Sequence, residues 1–147
     1  MRSEARANAL VLAGSAALLG GALLSQFVGG LFPCEMCYWQ RWPHLAAIAL
    51  GLLAWALGSN RALTALAAIA VLVSGAIGVF HAGVEYHWWE GVTTCTAAPI
   101  TGSTSEVLGS IMATPLIRCD AAQWTLFGIS LAGYNAILSG LIGGGAL

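Results

Sequence analysis

The sequence predicts an all-α integral membrane protein: a four-transmembrane-helix bundle with one long external loop that carries a short interfacial helix. Three observations lead there. Of 147 residues, 59% are hydrophobic and only 7% charged, against roughly 25% charged in a soluble domain, and the mean hydropathy is +0.83. The apolar residues gather in four runs, each near the ~20 residues that a helix needs to cross a bilayer. All four cysteines fall on one side of the membrane that those runs define. The whole chain, 1–147, reads as a single domain.

The first span is placed at 7–28. Arg2 and Arg6 before a run of small apolar residues also suit a secretory signal peptide, but the run is nearer a full span than the ~7–15 residues of a signal core. Its removal would leave three spans. The second, 42–58, is short and leans on its flanks; the third is 62–80 and the fourth 122–142. Ala70, Ser74 and Gly78 recur every fourth residue on span three, as small residues do where helices approach closely, and Gly128 and Ala132 repeat that spacing. Gln26 and Asn135, polar within apolar runs, are read as interhelical hydrogen-bond partners worth on the order of 0.6 kcal/mol each.

Charge orients the spans. Four crossings put both termini on one side together with Arg2, Arg6 and Arg61, and the positive-inside rule makes that side cytoplasmic. Glu35, Glu85, Glu90, Glu106 and Asp120 then lie outside and Glu4 inside. A net charge of −1 gives no footing for a nucleic-acid partner. The lipid bilayer is the partner that composition demands.

The external loop, about 81–123, is too long for a simple connector, and such loops are usually functional or disordered. Ser103 and Glu106 have capping-box spacing ahead of Val107, Leu108, Ile111 and Met112, which share one helical face until Pro115. This predicts a short helix whose apolar face lies on the membrane or against the bundle. Trp39, Trp42, Trp88, Trp89 and Trp124 mark the external boundary and Trp55 the opposite one, a belt arrangement whose rings could also wall a pocket for a flat ligand.

The chemistry centres on the CxxC of Cys34 and Cys37 in PCEMCYWQRW. That spacing serves zinc, haem, structural bridging or redox exchange. Haem attachment fails because Tyr38, not histidine, follows Cys37. Zinc would need Cys95 and Cys119, which are too far apart for a typical half-site. Structural bracing of the loop is chemically reasonable in an oxidising compartment, and four cysteines allow three pairings that sequence alone does not choose between. Redox work is favoured by Arg41, four residues after Cys37, and by Pro33, a residue suited to the first helical position. A guanidinium and a helix N-terminus both stabilise thiolate, the reactive form. Pro43 opposes this geometry by offering another start for span two, and Arg41 also suits a headgroup anchor.

Taken together, PCEMCYWQRWP at the second span, HAGVEYHWW after the third, the loop cysteine Cys95 and RCDAAQWTLFGISLAGYNAILS leading into the fourth resemble the disulfide bond formation protein B (DsbB) family over nearly the whole chain. The resemblance implies a multi-pass protein of the bacterial inner membrane with a periplasmic loop. It also implies a quinone-linked thiol:disulfide oxidoreductase that reoxidises a periplasmic DsbA-like protein. Its redox-active disulfides would be Cys95–Cys119 and Cys34–Cys37, with ubiquinone or menaquinone as acceptor and no metal. In the family's pattern Cys95 forms the mixed disulfide with the partner and Cys119 exchanges with Cys34. Cys37 then faces quinone, with Arg41 stabilising its charge. His81 and His87 compete for the family's quinone-side histidine, and His44, three residues after Arg41, is a third candidate. DsbA, at about −120 mV, is the established case of a periplasmic oxidant recharged through DsbB and quinone. Two other readings stand beside this one: an enzyme like vitamin K epoxide reductase, whose CxxC comes late in its helical core, and a structural module whose disulfides only brace the loop.

Overall fold

The computed structural model describes residues 2–93, 103–113 and 117–147; Cys95 and Pro115 lie outside them, as do the side chains of Val107 and Ile111. In chain order the elements are α1 (Arg2–Phe27), α2 (Glu35–Ala56), α3 (Arg61–Glu85), α4 (Thr104–Ala113), β1 (Thr125–Leu126), β2 (Ile129–Ser130) and α5 (Leu131–Ala146). Helix α3 packs against α2, α5 and α1, and α1 closes the bundle against α2 and α5.

Small side chains make this close packing possible. The core comprises Val11, Ala47, Ala67, Ala68 and Val71, whereas Leu24, Phe27, Leu52, Leu53, Leu66 and Leu141 are exposed. Such an outer surface would be an aggregation hazard in water; against lipid it costs nothing, and packing relies on small residues. Ser3–Phe27 and Arg61–Glu85 are long and apolar enough to cross a bilayer, with mean hydropathies of 1.8 and 2.4. Glu4 and Arg61, 3.9 Å apart, join the N-terminal ends of α1 and α3.

Several boundaries differ from the expected ones. Helix α2 starts at Glu35 rather than Trp42, because Cys34 is its N-cap and accepts a hydrogen bond from the Cys37 amide at 3.4 Å. Pro33 therefore precedes the cap instead of opening the helix. Pro43 lies inside α2 and does not start it; its missing N–H frees the Trp39 carbonyl without ending the helix. Helix α3 continues to Glu85, which makes His81 helical.

At the fourth run, an antiparallel hairpin pairs Thr125 with Ser130 and Leu126 with Ile129. Phe127 and Gly128 between them both have positive φ, 51° and 77°, as a two-residue type I′ turn requires. Helix α5 consequently has 16 residues, a length of roughly 24 Å. Gly128 serves this turn and not helix packing. Ala132 keeps its expected role: a Cβ on Gly78 would come within 2.9 Å of the Ala132 carbonyl oxygen.

Tyr86 ties the hairpin to α3. Its hydroxyl donates to the Gly128 carbonyl and accepts from the Ser130 amide, both at 2.9 Å. Trp89 folds back on α3, donating from Nε1 to the Phe80 carbonyl at 2.9 Å and stacking on the Phe80 ring. Only glycine fits beneath it, because a Cβ at Gly83 would overlap the indole. Gly83→Ala is expected to cost about 1–3 kcal/mol, as overpacking does. Thermal unfolding in detergent would show the loss, and a red-shifted tryptophan emission would show the displaced ring.

The capping box forms as expected. Glu106 Oε2 accepts from the Ser103 amide at 2.9 Å and from its hydroxyl at 2.6 Å, and these bonds hold the Glu106 carboxyl below its ordinary range. Leu108 and Met112 are exposed on α4.

Candidate active site

The site forms where the start of α2 meets the end of α3. Cys34 caps α2, Cys37 occupies its first turn, and His81 and Glu85 occupy the last turn of α3. Cys34 and Cys37 are free thiols with sulfurs 3.1 Å apart. His81 Nε2 lies 3.5 Å from Cys34 Sγ and 3.7 Å from Glu85 Oε1. Cys119 is disulfide-bonded and packs into one buried cluster with Cys34, Met36 and Val84, flanked by Cys37. Three of the four cysteines thus share one cluster, and Cys95 lies outside the described residues.

Cys34 is held well below the ordinary thiol range. The hydrogen bond from Cys37 contributes most, and His81 adds to it against the opposing effect of burial. The cap position at a helix N-terminus acts in the same direction.

Beside the sulfurs is a cavity of about 260 Å³. Leucines and alanines of α1 form part of its wall, and Cys34, Cys37, Gln40, Arg41, His44 and His81 also line it. Arg41 follows Cys37 by one helical turn, as expected. Its guanidinium meets neutral groups: Nη1 donates to Gln26 Oε1 at 2.6 Å, Nη2 donates to the Ala22 carbonyl at 3.3 Å, and Cζ lies 5.1 Å from the centre of the Tyr38 ring. Arg41 forms no ion pair among the described residues, so its charge remains available to the cavity.

The histidines separate. His44 and His81 are buried and line the cavity, whereas His87 is exposed, has a φ of 58° and borders a different depression with Trp88 and Asp120. His87 is therefore not placed beside the sulfurs. His44 Nδ1 is buried without a hydrogen-bond partner.

Two residues at the site were not singled out from sequence. Gln40 donates to His81 Nδ1 at 2.8 Å, and Gln123 exchanges two hydrogen bonds with the Phe32 backbone, holding the segment before Cys34. Gln40, a polar residue three positions after Cys37, was an available signal, whereas Gln123 is far from the CxxC in sequence and gave none. Asn135 and Gln26 both make the interhelical bonds expected of them. Arg118 and Asp120 form an exposed bidentate pair, which keeps the Asp120 carboxyl low but adds little stability at the surface.

The family model for disulfide bond formation protein DsbB matches residues 4–147. The chain belongs to the DsbB family. DsbB proteins are membrane disulfide oxidoreductases that partner a DsbA-like thiol oxidase. Similar proteins include "Disulfide bond formation protein B" of Verminephrobacter eiseniae (strain EF01-2), 29% identical over 97% of this chain and 83% of that protein. Another is "Uncharacterized protein RP370" of Rickettsia prowazekii (strain Madrid E), 24% identical over 90% of this chain and 79% of that one. No solved structure gives a significant match. DsbB membership supports neither the vitamin K epoxide reductase-like reading nor a purely bracing role.

Proposed function

We propose that this DsbB protein is a quinone-linked thiol oxidase of the bacterial inner membrane, crossing it four times with both termini cytoplasmic. It passes electrons from a periplasmic DsbA-like protein through Cys95 and Cys119, then Cys34 and Cys37, to ubiquinone or menaquinone. The observation that carries this reading is the buried cluster of Cys34, Cys37 and Cys119 beside a cavity walled by apolar side chains and Arg41.

The cavity suits a ring head group, its volume lying just below the ~300 Å³ at which small-molecule sites begin. Arg41 is the residue that would hold a ring oxygen, because its charge has no ion-pair partner among the described residues, and the unpartnered buried His44 Nδ1 would accept from a hydroxyl of the reduced ring. Bound quinone supplies an acceptor for two electrons and two protons.

The chain's own residues perform the exchange. The DsbA-like thiolate attacks Cys95, breaking the Cys95–Cys119 bond and releasing the Cys119 thiolate. Cys119 then attacks Cys34 of the Cys34–Cys37 disulfide, forming a new S–S bond and releasing Cys37 as the thiolate that faces the cavity. The second DsbA-like thiolate breaks the mixed disulfide with Cys95, forming the partner's disulfide and leaving Cys95 to attack Cys119. This restores Cys95–Cys119 and releases Cys34. Helix α2 and His81 favour that departure by stabilising the Cys34 thiolate. Two electrons and two protons thus reach the Cys34–Cys37 pair for each partner disulfide formed.

A single-turnover experiment tests the membrane-facing half. A Cys95→Ser/Cys119→Ser variant, reduced in detergent, is mixed anaerobically with ubiquinone or menaquinone. One Cys34–Cys37 disulfide per quinone consumed is expected; thiols that persist with both quinones would sink the proposal.

A further inference from the structure

A hydrogen-bond chain joins the two buried histidines of the site: His81 Nδ1 to Gln40 at 2.8 Å, Gln40 to Asn135 at 2.9 Å, and Asn135 to His44 Nε2 at 2.9 Å. Two backbone carbonyls decide which way each amide points. Asn135 Nδ2 lies 3.2 Å from the Ser74 carbonyl, which can only accept, so the NH₂ group is on that side. It also donates to Gln40, and the Gln40 atom facing it must therefore be the oxygen. The Met36 carbonyl, 3.1 Å from the other Gln40 atom, independently requires the NH₂ there. Gln40 Nε2 consequently donates to His81 Nδ1, which must hold a bare lone pair. The ring proton then lies on Nε2, which faces Cys34 Sγ at 3.5 Å and Glu85 Oε1 at 3.7 Å. The same logic makes Asn135 Oδ1 accept from His44 Nε2–H.

We propose that Gln40, supported by Asn135, is a positioning residue that locks His81 in the Nε2–H tautomer and aims that N–H at the Cys34 sulfur. Cys34, Cys37 and His81 put three donor atoms within 4.8 Å of one another, the inventory of a soft-metal site. The lock works against a cation there, because the ring directs a proton, and no lone pair, at the sulfurs. It works for disulfide exchange: whenever Cys34 is released from an S–S bond, the electron pair it retains meets a fixed donor. The other ionisable groups facing this pair are Cys37 and Glu85. The catalytic consequence rests on the oxidoreductase reading, whereas the tautomer does not.

Two measurements separate these levels. In protein carrying ¹⁵N-labelled histidine, with assignments from His44→Gln and His81→Gln variants, the His81 Nδ1 resonance is expected at the downfield position of a bare ring nitrogen and Nε2 at that of an N–H. The reverse pattern would overturn the lock whatever the enzyme does. In the reduced Cys95→Ser/Cys119→Ser background, Gln40→Met is expected to raise the midpoint of the pH profile for Cys34 alkylation by about one unit, the scale of one lost hydrogen bond to a charged group. A Gln40→Met profile that superimposes on that of the parent would also overturn the proposal.

Discussion

Cys37→Ser is expected to reduce quinone-linked turnover to the uncatalysed background while the chain still folds and inserts. The substitution is nearly isosteric, and Cys37 is only half-buried on the first turn of α2, so packing changes little. Removing its sulfur leaves Cys34 without the partner 3.1 Å away, and electrons that reach Cys34 have no dithiol from which to leave as a pair. A quinone absorbance assay with reduced DsbA-like protein reads this directly. Disulfide trapping should still capture the partner on Cys95, because the loop pair is untouched. Cys95→Ser should give the converse, with no captured partner and quinone binding retained. Unchanged turnover in either variant would remove the assignment.

The second large effect is expected at Arg41. Its guanidinium spans two acceptors on α1, Gln26 and the Ala22 carbonyl, and lies over Tyr38, so it is held in place yet uncompensated. Charge-assisted hydrogen bonds are worth about 1.5–3 kcal/mol, which corresponds to roughly 10- to 100-fold in rate. Arg41→Gln is therefore expected to lower kcat/KM for quinone by about that factor, with the DsbA-like partner's KM unchanged. Arg41→Lys keeps the charge but loses the planar fork and should fall between the two. Wild-type quinone kinetics in both variants would leave Arg41 as a headgroup anchor.

Much of this site is legible in the sequence because its signals are local. The CxxC, the turn separating Cys37 from Arg41 and the Ser103–Glu106 capping box each depend on spacing within a few residues. Local spacing also misleads where an apolar run conceals its backbone: 122–130 carries no periodicity to separate a strand from a helix, and the Phe127–Gly128 turn is what breaks it. The start of α2 was misplaced because its cap is a cysteine, a residue outside the usual capping set.

The polar network could not be read at all from spacing. Gln40 meets Asn135 across 95 positions of sequence and His81 across 41. A glutamine in an apolar helix announces that it needs a partner but not which one. Choosing between His44, His81 and His87 likewise required the third dimension, since α3 turns His81 inward and ends before His87 leaves the helix.

Stoichiometry with the wild-type protein tests the central claim most directly. Purified, detergent-solubilised protein is supplied with a reduced DsbA-like thiol oxidase and excess quinone under anaerobic conditions. The relay predicts one quinone reduced for each partner disulfide formed, over many turnovers. Oxidation of the partner that stops after the protein's own disulfides are consumed, with the quinone spectrum unchanged, would contradict it.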